Sequence, residues 1–104
     1  MIKQTQQGDV LLKLVNELPT GAVEVKRQNG RIVVMHGEQG HTHAIDDVDA
    51  LFYEKDGKFY LKVTSPVKLV HEEHHTQVID PGIWEIGQVR EYDYFQDMER
   101  KVVD

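Results

Sequence analysis

Residues 50–63 read Ala50-Leu51-Phe52-Tyr53-Glu54-Lys55-Asp56-Gly57-Lys58-Phe59-Tyr60-Leu61-Lys62-Val63, and this stretch decides the fold class. Asp56-Gly57 is a two-residue hairpin signal, because both residues tolerate the positive φ of a type I′ turn. Its flanks, Ala50 to Lys55 and Lys58 to Val63, have the length and the aromatic content of strands. A two-residue loop also sets the register, so Phe52 faces Leu61 and Tyr53 faces Tyr60. One face then carries Phe52, Phe59 and Leu61 and is expected to join the core. The tyrosine pair lies on the other face, toward solvent or a partner.

The rest of the chain continues this pattern. Toward the N-terminus, Val10 to Val15 (VLLKLV) is a short apolar run stopped by Leu18-Pro19-Thr20-Gly21, which suits a buried strand. Residues up to about Gln7 read as a tail or an edge extension. Ala22 to Arg27 alternates, Asn29-Gly30 supplies a turn, and Arg31 to His36 is the returning strand of a second hairpin. Toward the C-terminus, His41 to Ile45 and Val67 to His71 are short strands. Ile83 to Phe95 is a longer β-rich stretch whose alternation slips at Gly87, as a bulge would require. No segment sustains a helical apolar period over ten residues. About eight short strands separated by turns predict an all-β protein, a single small β-barrel or sandwich domain over residues 1–104.

Composition narrows the function classes. The chain has 104 residues and a formal net charge of −6, so a phosphate-backbone partner, and with it nucleic acid, is not expected. It has no cysteine, so any metal must be held by nitrogen and oxygen. The polar start Met1 to Gln7 lacks the apolar run of a signal peptide, and no apolar stretch approaches a membrane span. The expectation is a cytoplasmic protein without a membrane partner.

Five of the six histidines fall in two clusters, Gly40-His41-Thr42-His43 and His71-Glu72-Glu73-His74-His75. No Lys or Arg occurs between Arg31 and Lys55 or between Lys68 and Arg90. Those 44 residues contain nine of the eighteen acids and none of the bases. Neutral imidazoles near carboxylates, without competing cations, are what a divalent transition metal requires. Residues two apart on a strand share a face, so His41 and His43 project together. Continued alternation from Val67 and Leu69 would bring His71, Glu73 and His75 to one face, whereas a turn at Glu72-Glu73 would put His74 beside His71 instead. The candidate ligands are therefore His41, His43 and His71, with His74 or His75 as the fourth. Glu73 is the candidate general base or orienter of a histidine. Two blander readings compete: a solvated, pH-responsive histidine surface, and adventitious metal binding by a His-rich tract. His36 alternates with Ile32 and Val34 and is expected in the core.

Gly40-His41-Thr42-His43, followed by Pro81-Gly82 before a strand, resembles the motif pair of the single-domain cupins. The resemblance implies a jelly-roll barrel with iron, manganese, zinc or nickel in its mouth, and puts Asp47 where that family's first motif carries a glutamate ligand. Two departures stand out: Asp47 is not glutamate, and no histidine follows Pro81-Gly82 in the strand where the second motif has one. The run of Gly-His-x-His, His-Glu-Glu-His and Arg90-Glu91-Tyr92-Asp93 is also similar to short bacterial and phage proteins. The functional expectation is a small metal-binding protein, in its sharper form a metal-dependent enzyme acting on a small polar molecule. The alternative is a non-catalytic binding or assembly module with a structural metal or a pH-responsive histidine surface; a homodimer is expected in either case.

Overall fold

The computed structural model describes residues 3–36 and 40–88. It contains ten strands: β1 (Gln4–Gln7), β2 (Val10–Val15), β3 (Val23–Val25), β4 (Ile32–His36), β5 (Thr42–Ile45), β6 (Ala50–Lys55), β7 (Lys58–Val63), β8 (Val67–Val70), β9 (Gln77–Ile79) and β10 (Gly82–Gln88). The two beyond the expected eight are the short pieces β1 and β9. Among the described residues, no helix is long and apolar enough to cross a membrane.

The strands form two antiparallel sheets, ordered β1-β2-β10-β7-β6-β3 and β4-β5-β8-β9. Residues of both sheets meet in one apolar cluster. Val10, Leu12, Phe52, Leu61 and Trp84 come from the first sheet, and Ile32, Ile45, Val67, Leu69 and Ile79 from the second. Period-2 alternation produces this: in β2, Val10 and Leu12 are fully buried while Lys13 is exposed. Trp84 is 1% exposed and its indole N–H donates to the Asp80 carbonyl at 2.9 Å, so its one polar atom is satisfied.

The β6–β7 hairpin has the expected register, Phe52 opposite Leu61 and Tyr53 opposite Tyr60, with Asp56 at φ 51° and Gly57 at φ 81°. The expected faces need two corrections. Phe59 belongs to the core face but sits at its hairpin end, where it stacks on Phe52 at 5.2 Å and stays 36% exposed. Tyr60, expected at the surface, is 8% exposed, so the outer face of this hairpin is not a simple solvent face.

The Asn29-Gly30 turn also forms, with Gln28 and Arg31 exchanging both backbone hydrogen bonds at 2.8 and 3.0 Å. It does not continue as a hairpin. β3 pairs with β6 and β4 pairs with β5, so the turn passes the chain from one sheet to the other. The ladder at Gly87 is regular, Gly87 opposing Leu11 between the pairs Ile86–Leu12 and Gln88–Val10, so no bulge lies there; residues 89–95 fall outside the described residues. The irregularity is in β4, where the register shifts between Val33 and Met35. That shift sets Met35 opposite His43 and His36 opposite Thr42, which turns His36 off the face of Ile32 and Val34. His36 is accordingly exposed rather than in the core.

Candidate functional site

Gln7 closes β1 opposite Val10, and Gly8-Asp9 is the tight turn into β2. Gly8 holds φ +57°, a conformation a glycine adopts without the Cβ penalty. The turn brings two side chains against the start of β5. Gln7 is 2% exposed, and its amide nitrogen donates to the carbonyls of Leu69 and His75, both at 2.8 Å. Those two bonds fix which end of the amide is which, so Oε1 can only accept. It lies 2.9 Å from Nδ1 of His43.

His43 is 1% exposed, and Gln7 and His43 are the buried polar side chains among the described residues. With Oε1 of Gln7 as acceptor, Nδ1 of His43 carries the proton, and Nε2 is left with its lone pair when the ring is neutral. Nε2 faces Oδ1 of Asp9 at 3.3 Å. A lone pair and a carboxylate oxygen do not attract; a cation between them, whether a proton or a metal ion, resolves the contact. Burial lowers the His43 pKa, the neighbouring His71 charge adds to that, and attraction to Asp9 offsets it only in part. The neutral ring is thus favoured beyond the ordinary histidine. Desolvation would raise the Asp9 carboxyl, but hydrogen bonds, among them one from Gln88 Nε2 at 3.0 Å, together with His43 hold it below its usual value.

Three further imidazoles surround this pair. The His71 ring centre lies 4.4 Å from that of His43, 4.5 Å from His74 and 5.4 Å from His41, and His74 stacks on His43 at 5.9 Å. The chain leaves β8 at Val70 and turns through residues 72–74, which selects His74 over His75. His75 is exposed, and it reaches the site through its carbonyl on Gln7. In the turn, Nδ1 of His71 accepts the N–H of Glu73 at 3.0 Å and of His74 at 3.3 Å. Glu73 Oε1 lies 3.0 Å from Nδ1 of His41, and the Glu72 carboxylate accepts the N–H of Thr42 at 3.0 Å. Its own backbone N–H and that of Thr42 hold the Glu72 carboxyl below its ordinary pKa.

The five histidines thus divide into a cluster of four in ring contact, His41, His43, His71 and His74, and an outlier, His75; His74 and His75 are both exposed. Glu73 touches the cluster as a partner of His41. Among the described residues no three His, Asp or Glu side chains are placed so that together they could hold a metal ion. His71 gives the physical reason in part: with Nδ1 accepting from the turn, its neutral ring carries the proton on Nε2. Asp47 lies at the far end of β5 from His43, and its carboxylate accepts the Lys68 N–H at 2.7 Å, so it is a loop anchor and not a member of the cluster. Gln7 and Asp9 are the site residues the sequence reading missed. The signal that points to them is Gly8-Asp9, a two-residue hairpin turn between Gln7 and Val10.

Residues 6–89 match the model of a protein family described as Domain of unknown function (DUF8820). No curated protein and no solved structure matches the chain.

Proposed function

The chain belongs to the DUF8820 family, and from the site geometry we propose that it binds one divalent transition-metal ion between His43 and Asp9. The observation that carries this reading is the buried His43, its Nδ1–H held by Gln7 and its Nε2 aimed at the Asp9 carboxylate 3.3 Å away. Metal-ligating histidines are oriented in this way, by an acceptor on the nitrogen that does not bind. The neighbouring rings support it. An imidazole bound at about 2.0–2.1 Å has its centre about 3 Å from the ion, so two such rings are separated by roughly 4.5–5.5 Å. The spacings of His71 from His43 and His74, 4.4 and 4.5 Å, are close to that range.

In this reading His43 and Asp9 hold the ion, and His74 and His71 complete the shell. For His71, Nε2 ligation means releasing its two turn hydrogen bonds and moving the proton to Nδ1. His41, oriented by Glu73, stands at the rim. A set of nitrogen and oxygen donors suits zinc, iron, manganese or nickel. A position left to water would make the ion a Lewis acid toward a small polar molecule, with Glu73, beside His41, as the carboxylate to take a proton. The jelly-roll, cupin-like reading is supported by the two antiparallel sheets around one core and by the histidine pair near one end. The Asp47 anchor counts against an unaltered cupin ligand set.

A second reading is favoured by the same contact: a proton in place of the ion, making the His43–Asp9 pair a pH-responsive element. Titration of untagged, chelator-stripped protein with Zn2+, Mn2+, Fe2+ and Ni2+ by calorimetry separates the two. The metal reading expects one ion per chain and a loss of affinity of about 10–100-fold or more in Asp9→Asn, a near-isosteric change at a half-buried turn residue whose folding is checked by circular dichroism. Binding that is substoichiometric, or unchanged in Asp9→Asn and His43→Gln, would leave the proton reading.

A further inference from the structure

A groove of about 490 Å³ lies between the sheets, lined by parts of β3, β4, β6, β7 and β10. The volume is in the range of small-molecule sites. Its walls are apolar: Val25, Met35, Phe52, Phe59 and Ile86 line it. Phe59 stacks on the buried Phe52 with an interplanar angle of 12° and is itself 36% exposed, so a large aromatic surface is held rigid at the mouth. The polar lining has one sign. Its charged members are Lys26 and Lys58, beside the neutral Gln28 and Gln88, and no Asp or Glu is among the described residues that line the groove. Lys26 and Lys58 are exposed and form no ion pair among the described residues. In a chain with a net charge of −6, a local pair of lysines over an apolar trough is a selective feature.

We infer that this groove binds an aromatic carboxylate, its ring laid against Phe59 and its anionic end toward Lys26 and Lys58. Aromatic stacking supplies the contact area, and the lysines select the charge of the ligand. An ion in the imidazole cluster is not required. The two places are neighbours: Gln88 lines the groove and donates to Asp9, and Met35, also on the groove, lies opposite His43 in the β4–β5 ladder.

The test is calorimetric titration with 2-naphthoate, the neutral naphthalene-2-methanol and the cationic 2-naphthylmethylammonium, in buffer containing chelator. Failure there leaves the metal reading untouched. Naphthoate is expected to bind at least tenfold more tightly than the cation. Lys26→Glu/Lys58→Glu should weaken naphthoate about tenfold and leave the alcohol within about twofold, as loss and reversal of two exposed charges implies. Phe59→Asp should weaken both, and circular dichroism should show each variant folded. Equal affinity for the three probes, or indifference to the lysine changes, overturns the assignment. A concentration-dependent dimer abolished by Phe59→Asp would give the groove to a second copy of the chain. Binding seen only in a chain ending at residue 90 would give it to residues 91–104.

Discussion

Gln7→Leu removes one side chain of nearly unchanged volume and takes three hydrogen bonds with it. The bonds run to the Leu69 carbonyl, the His75 carbonyl and Nδ1 of His43, at 2.8, 2.8 and 2.9 Å. The Leu69 carbonyl and the His43 N–H are in buried bonds and lose their partner without gaining water. Each such orphan costs about 1–3 kcal/mol, while the His75 carbonyl, only part-buried, can rehydrate. Added leucine burial returns some of this, so the expected net loss is about 2–4 kcal/mol. For a domain near 100 residues that corresponds to a fall of roughly 10–20 °C in Tm. Urea unfolding followed by Trp84 fluorescence measures it, with an unchanged m-value showing that the denatured state is not what moved. Gln4→Leu, on the same strand but exposed, is the control and should shift stability by less than about 0.5 kcal/mol. A loss under about 1 kcal/mol in Gln7→Leu would show that the amide does not lock β1 to the histidine site, and the fixed tautomer of His43 would fall with it.

The remaining expectations concern the site directly. His43→Gln and Asp9→Asn should each lower metal affinity by at least tenfold, and His75→Ala, an exposed ring outside the cluster, should leave it within about threefold; competition with a chelating dye reads all three. Gly8→Ala puts a Cβ 2.5 Å from Nε2 of His74 at φ +57°, so it should cost about 1 kcal/mol in urea unfolding and displace the His74 ring, visible as a shifted imidazole resonance. In chelator-stripped protein the pH dependence of stability has a definite sign. His43 has a folded pKa below its unfolded value of about 6.5, so the folded state binds fewer protons there. Stability is full above about pH 6.5 and falls as pH drops through the folded pKa, a loss that His43→Gln should abolish. Asp9, also lowered, contributes stability above its unfolded pKa of about 3.9 and loses it only in more acid solution, so the two steps separate on one pH series.

Much of the fold was legible because its signals are local. Asp56-Gly57 carries its own turn type, and the turn fixes the register of the twelve residues paired across it without reference to anything else in the chain. Val10 to Val15 is a strand at the boundaries its composition marks. What failed depended on distant partners. The Asn29-Gly30 turn is real, but which strand β3 pairs with is decided by β6, about thirty residues away, and no turn signal reports that. The position of His36 depended on the register shift in β4, which alternation read along β4 alone does not show. Tyr60 alternates as a surface residue and is buried because its neighbours in the folded sheet, not its own strand, set its exposure.

The site divides along the same line. Each histidine cluster was visible as a cluster, and the meeting of the two follows from β5 and β8 being neighbours with Ala44 opposite Val70. That ladder places the residues just before Ala44 beside those just after Val70, which is why His43 and His71 approach. Gln7 and Asp9 are not histidines and lie 36 and 34 residues from His43, so no spacing rule picks them out. Yet they determine the chemistry. Four neighbouring imidazoles alone would compete for protons and differ little from any His-rich surface. One buried ring with its tautomer fixed on one side and a carboxylate on the other is where the proposed cation would sit, and the rings around it are its candidate ligands. Replacing Asp9 is therefore a sharper test of the proposed site than replacing any one exposed histidine, since it removes the negative charge facing Nε2 of His43 without deleting any imidazole.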